Sequence, residues 1–157
     1  MTWEPMEKSG PHSPAGGQET RILGLDVGEK RIGLAVSDPL GITAQGLKVL
    51  IRRGGEYDLV QLLEVAREYQ GTEIVVGLPR HMNGRPGKMV PEILDLARAL
   101  GEAMGATVIP WDERLTTAEA ERVLLQADLS RRRRRQVVDQ LAAVLILQGY
   151  LDRRRQQ

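Results

Sequence analysis

The chain has 157 residues and a mass of 17.4 kDa, with 22 basic and 21 acidic residues for a net charge of +1. That is one domain's worth of chain, able to bury roughly 70% of its unfolded surface around one core. Cysteine is absent, which excludes disulfides, thiolate metal sites and a cysteine nucleophile. No apolar run reaches the ~18 residues of a membrane-spanning helix. The two histidines, His12 and His81, are far apart, so any metal is held mainly by oxygen, as Mg²⁺, Mn²⁺ and Ca²⁺ are.

Residues 1–20 hold three of the eight prolines and show no apolar period. They read as a disordered leader ahead of a single domain spanning 21–157. They lack a charged start followed by an apolar run, so no secretory signal is expected, and with no cysteine the expected location is cytoplasmic. Ile22–Val27 is a short apolar run that reads as a buried strand. A turn follows over 28–30, then a second hairpin strand over Arg31–Ser37. A third strand is expected over Ile42–Arg52. Leu59, Leu62, Leu63 and Ala66 recur at helical spacing, so Glu56–Tyr69 is an amphipathic helix that Gly71 ends. Glu73–Gly77 is a β-rich run, followed by a loop over 78–87. Ile93, Ala97, Leu100 and Met104 share one face of a second helix that has Pro91 near its start. Ala106–Trp111 reads as a strand. Thr116 and Glu119 form a capping box for a helix through Ala127. A last helix runs from about Arg134 to Asp152. The order β-β-β-α-β-α-β-α-α predicts an α/β fold: a meander of three strands, then parallel crossovers, in a mixed sheet covered by helices.

Charge is unevenly placed. Between Gln126 and Gln157 eight arginines face three aspartates, a local charge of +5, which leaves about −4 for the rest. A basic segment on a nearly neutral protein suits a polyanion such as nucleic acid, although a solvated arginine-rich surface has the same composition.

Three carboxylates stand where local logic would not put them. Asp26 closes an otherwise apolar strand; it is either a turn-capping residue or a paired or metal-bound carboxylate. Asp139 lies in a helix that is apolar almost all round, sharing a face with Ala142, Ala143 and Ile146. The small alanines admit a close backbone. Asp112 and Glu113 follow a strand end, the place where ligands bind in open α/β sheets. Asp112 is readily explained as a turn residue, Glu113 less so. If Asp26, Glu113 and Asp139 meet, they carry about −3 charge that one or two divalent cations would neutralise. A two-metal site clamps the attacking and leaving oxygens of phosphoryl transfer, which implies phosphodiester hydrolysis.

The segment from Asp26 to Ala35 also has the form D-x-G-x4-G-x-A, known from phosphate-cradling hairpins of sugar kinases and actin-like ATPases. Those sites need two lobes, and this chain is too short for both. Gly28 is therefore expected to supply a positive φ in the turn and Gly33 a close strand contact.

Four segments, LGLDVGEKRIGLAVSD (23–38), EIVVGLPRHMNG (73–84), WDERLTTAEA (111–120) and VDQLAAVLILQGYLD (138–152), together resemble the YqgF (RuvX-like) family. The resemblance covers nearly everything from Arg21 to Asp152. It implies an RNase H-like fold, a mixed five-stranded sheet flanked by helices, and a nuclease using Mg²⁺ or Mn²⁺. Members are described as processing the 5′ end of pre-16S rRNA in ribosome biogenesis, and earlier as Holliday junction resolvases acting in DNA recombination and repair. The motif positions implied as catalytic and metal-binding are Asp26, Glu113 and Asp139, the acids singled out above. Asp26 would bridge two metals and Glu113 and Asp139 would each bind one. Arg114 and the run Arg131, Arg132, Arg133, Arg134 and Arg135 would contact phosphates of an RNA or DNA partner. His81 and Asn83 would lie in a loop beside the site; Asn83 stands where the family often has aspartate. A monomer or homodimer is expected. The competing readings are a non-catalytic nucleic-acid-binding module and a phosphate-transferring ATPase.

Overall fold

The computed structural model describes residues 21–79, 87–112 and 131–156, and for 131–140 the backbone alone. The described elements are β1 (Arg21–Val27), β2 (Arg31–Ser37), β3 (Ala44–Ile51), α1 (Gly55–Glu68), β4 (Gly71–Leu78), α2 (Val90–Met104), β5 (Thr107–Asp112) and α3 (Arg131–Arg155). The five strands form one sheet in the order β3-β2-β1-β4-β5. β1, β2 and β3 are antiparallel neighbours, and β4 and β5 run parallel to β1. This is the expected meander with parallel crossovers. The capping-box helix begun at Thr116 and the 1–20 leader lie outside the described residues.

Strand periodicity divides the sheet's two faces between the helices. Leu23, Leu25 and Val27 of β1 join Ile32, Leu34 and Val36 of β2 and Ile74 and Val76 of β4 on one face. There they pack on Leu62, Val65 and Ala66 of α1 and Ile93, Leu96, Ala97 and Leu100 of α2. Ile22, Ala35 and Val75 occupy the other face, covered by Ala143, Ile146, Leu147 and Leu151 of α3. β1 and β4 are thus buried on both sides, which is why they read as unbroken apolar runs rather than alternating ones.

Two glycines act differently from expectation. Gly71 opens β4 instead of ending α1. The turn is made by Gln70, a non-glycine residue at φ 51°, and a Cβ on Gly71 would lie 2.7 Å from Leu23 Cδ1. Gly71 thus lets the start of β4 lie close against the Leu23 side chain. Gly28 is not among the positive-φ glycines; its N–H donates to the Arg31 carbonyl at 2.8 Å, and a Cβ there would meet that same oxygen at 3.1 Å. The tight hairpin turn excludes bulk at Gly28 without a left-handed backbone. Gly105 caps α2 in the left-handed conformation at φ 69°, the usual device at a helix C-terminus. α3 starts three residues earlier than expected, so Arg131 to Arg133 fall inside its first turn. No described helix is long and apolar enough to cross a membrane.

Candidate active site

Asp26 is the next-to-last residue of β1, the central strand of the sheet. Alternation places it on the face of Ile22 and Gly24, which α3 covers. It is half-buried. Its cross-strand neighbour on β2 is Gly33. On β4, Leu25 pairs with Val76, so Gly77 lies at the level of Asp26. Glycines thus stand on both flanks of Asp26 in its own row of the sheet.

α3 is held against β1 at close range. A Cβ on Gly24 would lie 2.8 Å from Leu147 Cβ and 3.0 Å from the Ala143 carbonyl oxygen. Ile22 lies in the same cluster as Leu151, so the helix runs antiparallel to the strand. Moving two residues along β1 from Gly24 reaches Asp26, about 7 Å on. One helical turn from Ala143 towards the N-terminus of α3 reaches position 139, about 6 Å on. Positions 139, 143 and 146 or 147 share one stripe of the helix. The backbone register therefore brings position 139 over the end of β1 that carries Asp26. Gly24 is the residue that sequence reading missed here: the alanines of α3 signalled a close backbone, but not which one.

β5 contributes its C-terminal end to the same edge of the sheet. Trp111 pairs with Gly77, and Asp112 pairs with Leu78. Trp111 thus shares the face of Asp26, while Asp112, expected as a turn residue, is instead the last residue of β5 and falls on the opposite face with the core residue Leu78. Glu113 is bonded directly to Asp112. Glu113, Arg114, His81 and Asn83 lie outside the described residues. Arg131 to Arg135 occupy the first turns of α3. Among the described residues no group of three histidines, aspartates or glutamates is placed to hold a metal; of the three expected ligands only Asp26 has a described side chain.

Trp111 packs against α3 on the face of Asp26. Its ring lies against Gly149, where a Cβ would come within 2.9 Å of Cζ2, and stands edge-on to Tyr150 with centroids 6.4 Å apart. Tyr150 donates its hydroxyl to Glu73 at 2.8 Å. Burial, then the Glu73 hydrogen bond, raise the Tyr150 pKa against the opposing effect of Arg154.

A buried charge cluster supports the hairpin turn behind Asp26. Arg52 donates from Nε to Asp58 at 3.0 Å, from Nη1 to the Gly28 carbonyl at 2.9 Å and from Nη2 to Glu92 at 2.7 Å. The Arg53 N–H donates to the other Asp58 oxygen at 2.9 Å. The Arg52 and Asp58 side chains are only 9% and 1% exposed. Burial pulls the Arg52 pKa down, but hydrogen bonds and charge from Asp58 and Glu92 outweigh it, and the net direction is up. This cluster ties the turn, the end of β3, α1 and α2 together. Arg52 reaches Gly28 and Glu92 across 24 and 40 residues of sequence, so no local pattern announced the cluster.

The architecture is that of an RNase H-like protein: a five-stranded mixed sheet with an acid on its central strand and a long helix laid across that strand. A family model described as RuvX, Holliday junction resolvase, matches residues 20–153, and the chain belongs to that family. It is 59% identical over 133 residues to a Moorella thermoacetica protein named "Putative pre-16S rRNA nuclease", covering 85% of this chain and 95% of that one. A Syntrophomonas wolfei protein of the same name is 56% identical over 132 residues, 84% of this chain and 94% of the relative. Among solved structures, Thermus thermophilus RuvC in complex with a Holliday junction substrate matches with a TM-score of 0.55 at 16% identity. That match covers 86% of this chain and 96% of RuvC. Thermus thermophilus RuvC solved by itself gives 0.56 at 13% identity, over 85% and 96% of the two chains. These structural matches show the shared fold.

Proposed function

We propose that this chain is a divalent-metal-dependent nuclease that hydrolyses phosphodiester bonds in the 5′-end processing of pre-16S rRNA. The observation that carries the reading is the placement of Asp26. It is a half-buried carboxylate at the C-terminal end of the central strand, flanked by Gly33 and Gly77, and the helix carrying Asp139 packs on the same strand. The names of relatives nearly 60% identical support the RNA substrate.

Carboxylates suit hard oxygen-seeking cations, so the donor chemistry of Asp26, the described part of the site, fits Mg²⁺ or Mn²⁺. Asp26, Glu113 and Asp139 would hold the metal. When bound, it supplies Lewis acidity and lowers the pKa of water, so no histidine base is needed. Water adds to phosphorus, one P–O ester bond breaks, and the departing alkoxide takes up a proton. Asp139 orients the attacking water through a hydrogen bond. Arg114 and Arg131 to Arg135 bind the flanking phosphates and offset their charge, and His81 contributes a proton or a phosphate contact. The neutral Asn83 has no charge-based part in this scheme.

The test is purified protein with Mg²⁺ or Mn²⁺ against labelled rRNA precursor, single strands, duplexes and four-way junctions. Asp26→Asn and Asp139→Asn should each lower the cleavage rate by roughly 10²–10³-fold, the equivalent of several kcal/mol of transition-state charge stabilisation. Undiminished cleavage by Asp26→Asn would overturn the site. Cleavage confined to four-way junctions would replace RNA processing with junction resolution, and metal-dependent ATP turnover without nucleic acid would replace both.

A further inference from the structure

A second surface opens from the candidate site. Between the edge strand β5 and the last turns of α3 lies an open groove of about 390 Å³, lined by Ile109, Pro110, Trp111, Tyr150, Arg153 and Arg154. Trp111 is part of its lining. Through its pairing with Gly77 it sits two strands from Asp26, about 10 Å across the sheet and on the same face. We propose that this groove carries a single-stranded extension of the nucleic-acid substrate away from the scissile phosphate, with Arg153 as a phosphate anchor. The inference rests on the nuclease reading and adds to it a preference for substrates with a single-stranded tail.

Three features select this occupant. The wall is cationic: Arg154 is held by both oxygens of Glu73, each at 3.3 Å, and Arg155 pairs with Asp152 at 2.9 Å. Arg153 is exposed and forms no ion pair among the described residues, which leaves its charge for a ligand. The Arg154 guanidinium lies over the Tyr150 ring, 5.6 Å from its centroid. A guanidinium fixed on an aromatic ring offers the planar surface on which unstacked bases settle, and paired bases in a duplex do not present themselves that way. Pro110 interrupts the edge of β5 and removes a backbone donor there, which disfavours an added peptide strand as the occupant.

The test uses the full chain, without divalent metal, and fluorescence anisotropy of hairpins with blunt ends or with a tail of about 10 nucleotides, the span of one stacking groove. RNA and DNA versions of each distinguish the two sources of phosphate. The wild type should bind the tailed hairpin about 10-fold more tightly than the blunt one. Arg153→Glu should abolish that preference while leaving blunt-hairpin affinity unchanged. It should also reduce the salt slope for the tailed probe by about 0.7 per lost contact. Circular dichroism confirms that this exposed substitution leaves the fold intact. Absence of tail preference in the wild type, or equal weakening of both probes by Arg153→Glu, overturns the groove while leaving the nuclease reading standing. Failure of every probe to bind overturns both.

Discussion

At the scale of single residues, close approach and buried charge are the features most sensitive to substitution. Gly24 is where β1 and α3 touch. Gly24→Ala would put a Cβ 2.8 Å from Leu147 Cβ, and overpacking of this kind costs about 1–3 kcal/mol. Urea denaturation should show that loss. Because the helix must shift away from β1, the cleavage rate should fall further than the loss of folded protein explains. Arg52 is the second sensitive point. Arg52→Met leaves Asp58, 1% exposed, as an uncompensated buried charge, which costs about 3–5 kcal/mol. Combining it with Asp58→Asn should recover part of that loss, and denaturation midpoints of the single and double variants measure the coupling.

At the scale of elements, the loop joining β2 to β3 and the start of α3 each carry a prediction. Asp38 Oδ1 accepts from the Ile42 and Thr43 N–H groups at 2.7 and 2.9 Å. The Thr43 hydrogen bond is the largest influence, and together these bonds hold the Asp38 pKa below its ordinary 3.8 despite opposing desolvation. A carboxylate with a depressed folded pKa stabilises fully above its unfolded value, and that contribution is lost as pH falls through the folded one. Hydrogen exchange at Ile42 and Thr43 should therefore stay slow, relative to intrinsic rates, above the ordinary carboxylate range and quicken below it. Asp38→Asn should remove this pH dependence. In α3 the arginine run occupies the first turn, which contains no acid. Cations there oppose the helix dipole. Arg131→Glu should raise stability by about 0.3–1 kcal/mol at low salt while weakening nucleic-acid binding. A gain in both stability and affinity would contradict a phosphate-binding role for the run.

At the scale of the whole molecule, the excess positive charge sits in α3, whose N-terminal half approaches the candidate site and whose C-terminal half lines the β5 groove. Helix geometry separates Asp139 from Arg153 by about 21 Å. A polyanion bound along this length releases counterions from both ends. Log affinity for a tailed RNA or DNA that spans both ends should accordingly fall linearly with log salt, with a slope that becomes shallower for each contacting arginine removed. A salt-independent affinity would place the substrate elsewhere.

Patterning along the chain was sufficient to determine the strands, α1 and α2, the meander followed by crossovers, and the three acids worth testing. Each of those rests on local periodicity or on a polar residue stranded among apolar neighbours, signals that a few consecutive residues carry by themselves. Tertiary structure alone decided which backbone the alanines of α3 approach, that Gly33 and Gly77 flank Asp26, and that Arg52 joins four segments. It also reassigned Gly71 from helix terminator to packing contact and removed the positive φ expected of Gly28. Apart from the local turn at Gly28, those properties depend on residues brought together across the fold, and their distances exist only after the sheet has fixed its register and the helices have closed over its two faces.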